Sequence, residues 1–231
     1  MVMAGQTQRP ELVRDTMMKK LLMSLFFVLV LAGTTSSYPL SCFWGKATTV
    51  SDTNDPNIVV TEMKYKKILV PTGDIGTDWR TNYDYNDSAW TAGYGGVGYC
   101  TDPCDAYYQW IGNDVLTTMH NINGTCYIRI PFEITSLDAV TGLSLLMRYD
   151  DGFAAYINGT LVKYINKPTT PVWNSLATQA SAETTSAWNT YDISTYVNQL
   201  TVGHNLLAIQ GLNDSNSSSD FLICSKLVLV K

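Results

Sequence analysis

Charge is scarce in this chain. Of its 231 residues only 15% are Asp, Glu, Lys or Arg, and only two are histidine. Residues 1–37 hold four basic and two acidic groups, so the formal charge of −5 divides into +2 there and −7 across the rest. Residues 38–231 contain no cluster of Lys or Arg, which removes the basic face that a nucleic-acid partner needs. His120 and His204 do not form a metal-binding pair, and no Gly-x-Ser-x-Gly is present, so the common hydrolase signatures are missing. No internal repeat and no long amphipathic helix appears. The longest apolar run, Leu21–Leu31, is well short of the roughly 20 residues of a membrane span.

What remains is 45% hydrophobic residues, with 14 tyrosines and 6 tryptophans. That content suffices for a packed core and favours strands over surface helices. Lys19-Lys20, the apolar run and the small residues from Ala32 to Ser37 together have the layout of a secretory signal peptide over 1–37, cleaved between Thr34 and Tyr38. Translation starting near Met17–Met18 would leave the first residues outside it. A buried core helix or an uncleaved anchor is the alternative. Cys42 raises lipid attachment, although Pro39-Leu40-Ser41 is a poor match to the small residues that precede a lipidated cysteine.

Export makes disulfides available. Cys100 and Cys104 flank Thr-Asp-Pro and are expected to close a small loop. Cys126 and Cys224 are candidates for a second bridge if their strands are neighbours, or else are buried thiols; Cys42 is left over. Asn86, Asn123, Asn158, Asn213 and Asn216 each begin an Asn-x-Ser/Thr triplet. Asn123-Gly124 and Asn158-Gly159 read first as turns.

Residues 38–64 read as a polar leader. Tyr65–Val70 is an expected strand, and Gly93–Gly98 a glycine-dense loop whose glycines allow tight turns or close chain approach. Cys126–Phe132 alternates with period 2, Cys126, Ile128, Ile130 and Phe132 facing one way, Tyr127 and Arg129 the other. Pro131 suggests a strand end or edge. Leu143–Ile157 is a long strand interrupted at Asp150-Asp151-Gly152, and Asn158-Gly159 turns it into Leu161–Ile165. The connection over 166–190 is long and polar and carries Trp173 and Trp188. Asp192 caps a helical turn at Ile193–Gln199, and Leu206–Ile209 and Phe221–Val230 close an all-β, jelly-roll β-sandwich over 65–231.

Four segments in order carry a resemblance. They are Asp84-Tyr-Asn-Asp-Ser-Ala-Trp90 with Gly98-Tyr99; Tyr127–Phe132; Arg148-Tyr-Asp-Asp-Gly-Phe-Ala-Ala-Tyr-Ile-Asn-Gly-Thr160; and Tyr191-Asp-Ile-Ser-Thr with Gly203–Ile209. Together they resemble galactose-binding-like domains, similar to modules of large secreted bacterial proteins and to the sugar-binding domain of family-2 glycoside hydrolases. The resemblance implies a binding module rather than an enzyme, secreted or at the cell surface, with carbohydrate as the ligand; a structural or adhesive role through protein partners is the alternative. Trp173, Asp150, Asp151, Asn213 and Asp220 are the expected ligand residues, with Trp188, Tyr107, Tyr108 and Trp110 as further platform candidates. The resemblance also raises a structural calcium held by the Asp- and Asn-rich loops at 82–87, 150–151 and 213–220, against ordinary turn chemistry for the same residues. Adjacent on an extended strand, Asp150 and Asp151 would face opposite sides and make a poor catalytic pair.

Overall fold

The computed structural model describes residues 55–102, 107–181 and 187–231. These form two six-stranded sheets. In the first the order is β10 (Asn189–Asp192), β7 (Gly142–Asp150), β12 (Asp220–Val230), β4 (Gly96–Cys100) and β5 (Ile111–Asp114), with β1 (Ile58–Val60) pairing the far half of β12. The second runs β3 (Thr91–Gly93), β2 (Lys66–Leu69), β6 (Thr125–Ile134), β11 (Gly203–Leu212), β8 (Gly152–Ile157) and β9 (Thr160–Ile165). All pairings are antiparallel except β4 with β5. Two single-turn helices, α1 (Asp78–Thr81) and α2 (Leu116–Met119), and 3-10 turns at Tyr108–Trp110 and Ser194–Gln199 complete the elements. The all-β sandwich expected from the sequence is the fold observed. Among the described residues no helix is long and apolar enough to cross a membrane.

The main core lies between the sheets. Ile128, Ile130 and Phe132 of β6 meet Leu143, Leu145 and Met147 of β7, Leu207 and Ile209 of β11, and Phe221, Ile223 and Leu227 of β12. Each such side chain, removed fully from water, contributes about 1.5–3 kcal/mol before its ordering entropy is counted. Val60 of β1 is fully buried there, so the sandwich begins upstream of residue 65.

Both outer faces are also covered, which the alternation of β6 alone did not announce. Tyr127 and Arg129 do point away from the core, yet both are buried. Over the second sheet, Trp79 of α1 stacks on Tyr127 at 4.2 Å, joined by Trp90 and Tyr156. Arg129 gathers the segment after α1. Its Nε donates to Asp87 Oδ2 at 2.7 Å, Nη2 to Tyr83 O at 2.8 Å, and Nη1 to the carbonyls of Trp79 and Asn82. The 82–87 loop is therefore tied to the outer face of the second sheet. Over the first sheet, Tyr107, Ile111, Leu222 and Cys224 form a third cluster. Arg148 lies between the rings of Trp110 and Trp188, at 4.9 and 4.3 Å.

The turn chemistry holds in detail. Asn158 (φ 48) and Gly159 (φ 89) join β8 to β9, both in the left-handed region that this hairpin turn requires. The glycine-dense segment, in contrast, is a crossover between the sheets: on either side of Tyr94-Gly95, β3 pairs with β2 in the second sheet and β4 with β12 and β5 in the first. At Gly98 a Cβ would overlap the Phe221 carbonyl of β12, so glycine is what allows that strand to approach. Pro131 sits inside β6 rather than at its end. It lies beyond the last pair with β2, Lys67 with Arg129, so one side of β6 is unpaired there.

The expected Cys126–Cys224 bridge is corrected: both are buried free thiols. Cys126 points into the core between the sheets, whereas Cys224 follows the opposite phase of β12, alongside Leu222, into the cluster on the outer face. Cys104 of the expected Cys100–Cys104 loop lies outside the described residues, as do Cys42 and the 1–37 segment.

Candidate functional site

Strand β7 ends at Asp150 and β8 begins at Gly152, so Asp151 occupies a corner and not a strand interior. The expectation of opposite-facing carboxylates fails for that reason. Both side chains are buried, share a hydrogen bond, and are joined by a cis peptide.

Asp151 is the hub of this corner. Its Oδ1 accepts from Ser181 N at 2.8 Å and its Oδ2 from Asp214 N at 2.7 Å. Its carbonyl accepts from Asn166 Nδ2 at 2.9 Å, and its own N–H donates to Leu212 O. Three separate segments, at 166, 181 and 214, are thus tied to one residue. Burial pushes the Asp150 carboxyl up to about 8, helped by the shared hydrogen bond and charge of Asp151 and by the charge of Asp220; a hydrogen bond from Tyr107 acts in the other direction. Asp150 is therefore mostly protonated at neutral pH. Asp214 is also raised, first by desolvation and then by Asp151.

Asn213 is equally committed. Its Nδ2 donates to Tyr99 Oη at 3.0 Å and to Asp220 O at 2.9 Å, while its backbone bonds Gly124 O and Ala177 N. The structure therefore brings Asp150, Asp151, Asn213 and Asp220 to one end of the sandwich. The first three are buried there and act as the frame for loops, with few oxygens turned outward. Trp173 is elsewhere. Its half-buried ring packs with the aromatic cluster on the second sheet, and its carbonyl accepts from Asn123 Nδ2 at 3.1 Å. Tyr107 is buried, Trp110 and Trp188 hold Arg148, and Tyr108 is partly exposed on the same side. Among the described residues no three His, Cys, Asp or Glu side chains group as metal ligands.

What the corner supports is a cleft of about 250 Å³, lined by Tyr149, Ile165, Asn166, Gln179, Ala180, Ser181 and Asn189. It lies on the flank where β9 and β10 are the edge strands of their sheets. Gln179 Nε2 donates to Asn166 Oδ1 at 3.0 Å, and the Tyr149 and Tyr191 hydroxyls lie 3.2 Å apart. Amides and a phenol on a rigid floor are well suited to a neutral, hydroxyl-rich ligand. Sequence reasoning missed these residues. Tyr149 precedes the recognised Asp150-Asp151 pair, but nothing local marked Gln179 or Asn189. Farther along β9 a second cleft of about 390 Å³ is lined by Leu161, Val162, Lys163, Tyr164 and Tyr196.

No family model matches the chain, and a search of curated proteins also returns no match. Solved structures similar to it include a beta-glucuronidase of Bacteroides uniformis, at 16% identity over 75% of this chain and 18% of that one, TM-score 0.45. A beta-glycosidase from Bacteroides vulgatus matches at 18% identity over 70% of this chain and 19% of its own, TM-score 0.38. A glycosyl hydrolase family 2 member from Bacteroides cellulosilyticus DSM 14838 matches at 13% identity over 73% of this chain and 20% of its own, TM-score 0.41. The chain spans about a fifth of the length of these proteins. At such values the likeness stands as similarity alone and assigns nothing to the chain.

Proposed function

We propose that this chain is a secreted, non-catalytic carbohydrate-binding module of galactose-binding-like type, and that the flank cleft holds the sugar. The observation that carries the reading is the cleft itself. Its volume of about 250 Å³ is near the lower end for small-ligand sites, roughly 300 Å³ upward, and suits one sugar ring. Asn166, Gln179 and Asn189 offer amide donors and acceptors for ring hydroxyls, and Tyr149 a ring edge and a phenol. The floor is pre-organised, because Asn166 and Ser181 are both held by Asp151. The signal-like 1–37 segment supports export. Among the described residues the most strongly raised carboxyl, Asp150, is buried beneath the loops, which supports a binding rather than a catalytic role.

The test is a glycan array followed by titration calorimetry on the wild-type protein, with and without calcium. Saturable binding that weakens at least tenfold in both Gln179→Ala and Asn189→Ala supports the reading. Absence of binding under both conditions, or binding indifferent to both substitutions, rejects it.

One observation favours a second reading, an adhesive protein with protein partners. Met63, Tyr65 and Tyr94 are 45, 38 and 57% exposed, and the two tyrosine rings meet edge to face at 5.6 Å. An apolar group of this kind fits a protein contact. Loss of partner capture on Tyr94→Ser, with glycan binding absent, would establish that alternative.

A further inference from the structure

The five Asn-x-Ser/Thr triplets are equivalent in sequence and very different in the fold. Asn123 is 3% exposed, and its Nδ2 donates both hydrogens, to Pro71 O at 2.7 Å and Trp173 O at 3.1 Å. Asn158 Nδ2 donates to Gln199 O at 2.8 Å and Asn205 Oδ1 at 2.9 Å. Asn213 is 1% exposed and bonds Tyr99 Oη and Asp220 O. Each of these three amides uses both N–H groups inside the protein.

Asn86 and Asn216 differ in every respect. Both are exposed. Asn86 Oδ1 accepts the N–H of Ser88, the third residue of its own triplet, at 3.2 Å, and that bond does not engage Nδ2. Asn216 is anchored through its backbone carbonyl, which accepts Asn121 N at 2.6 Å, and its side chain is not drawn into that contact. Neither Nδ2 has a partner among the described residues.

We infer that Asn86 and Asn216 are acceptor sites for an N-linked glycan, and that Asn123, Asn158 and Asn213 are not. The inference rests on the export half of the reading above. The donor class is an oligosaccharide linked through pyrophosphate to a lipid carrier, used by a transferase of the secretory pathway. Asn Nδ2 attacks the anomeric carbon. The new C–N bond forms as the C–O bond to pyrophosphate breaks, the lipid pyrophosphate leaves with that electron pair, and one Nδ2 proton is released. The product amide keeps a single N–H. At Asn123, Asn158 or Asn213 the modification would delete one internal hydrogen bond and require space for a sugar where the protein is packed. At Asn86 and Asn216 it deletes none.

The experiment expresses the full chain in a eukaryotic secretory host, once with its own N-terminus and once behind an added secretion leader. N-glycosidase treatment in heavy-oxygen water, followed by peptide mapping, marks each former glycan site. The expected result is labelled Asp at positions 86 and 216 alone, and one electrophoretic shift lost in each of Asn86→Gln and Asn216→Gln. Label at position 123, 158 or 213 in folded secreted protein overturns the assignment, as does an unmodified 86 and 216 in leader-borne protein recovered from the medium. Retention of the native form inside the cell, with the expected pattern in the leader-borne form, overturns export and leaves the site assignment standing.

Discussion

Replacing Asp150 by Asn should make the protein less sensitive to alkali. Asp150 is 5% exposed, and its carboxyl is raised from 3.8 to about 8, first by burial and then by Asp151. The folded state therefore binds a proton that the unfolded chain has released. Stability from this group is fully present below the ordinary carboxylate value and is lost as pH rises through about 8. At about 1.4 kcal/mol per pH unit across the window, and allowing for partial ionisation near its upper end, the wild type loses on the order of 2 kcal/mol between pH 6 and 8. For a domain of this size that is a fall in Tm of about 4–8 °C. Asn mimics the protonated acid: it donates to Asp151, accepts from Tyr107, and does not titrate. Lys66, lowered to about 8 chiefly by desolvation, acts in the opposite sense and mainly above that value, and its small effect at the upper edge of the window is common to both proteins. The assay is thermal unfolding of both proteins at half-unit steps from pH 5 to 8. An equal fall in Tm for wild type and Asp150→Asn would refute the placement of the proton on this corner.

Further outcomes follow from other parts of the fold. Arg129→Ala leaves Asp87 and the carbonyls of Trp79, Asn82 and Tyr83 without their donor, and should destabilise by about 3–5 kcal/mol in denaturant titration. Gly98→Ala drives a Cβ into the Phe221 carbonyl and should give insoluble or markedly less stable protein, whereas Gly73→Ala, where that space is open, should not. Cys126 and Cys224 should resist thiol reagents in the native state, because burial pushes both thiols up, and should both be alkylated after unreduced denaturation. Recovery of the two as a linked peptide would contradict the structure.

Much of the scaffold could be read directly. The alternation of Cys126–Phe132, the Asn158-Gly159 turn and the run from Phe221 to Val230 each carry their own geometric signal, and each became the element it indicated. The glycines of Gly93–Gly98 announced tight turns or a close chain approach, but not which strand approaches: that is β12 at Phe221, more than 100 residues away. Cys224 misled for a subtler reason. Its phase relative to Phe221 and Ile223 placed it outside the core, but the outer face is itself covered, so burial did not imply facing Cys126. At the candidate site, Asp150 and Asp151 were visible as a motif while their role was not. Whether a carboxylate faces solvent or carries loops depends on where residues 166, 181 and 214 arrive, and no local pattern encodes that meeting.

The place of β12 in the first sheet has a bearing on how the chain is made. It pairs with β7, β4 and β1, and it is made after every other described strand. Until it emerges from the ribosome, β7 and β4 lack the strand that joins them, and the core lacks Phe221, Ile223 and Leu227. The second sheet is itself late, because β11 joins β6 to β8 and is made just before β12. Folding of this domain is therefore gated by emergence of β11 and β12, and a nascent chain halted before Asp220 would present an incompletely covered apolar face to whatever holds it.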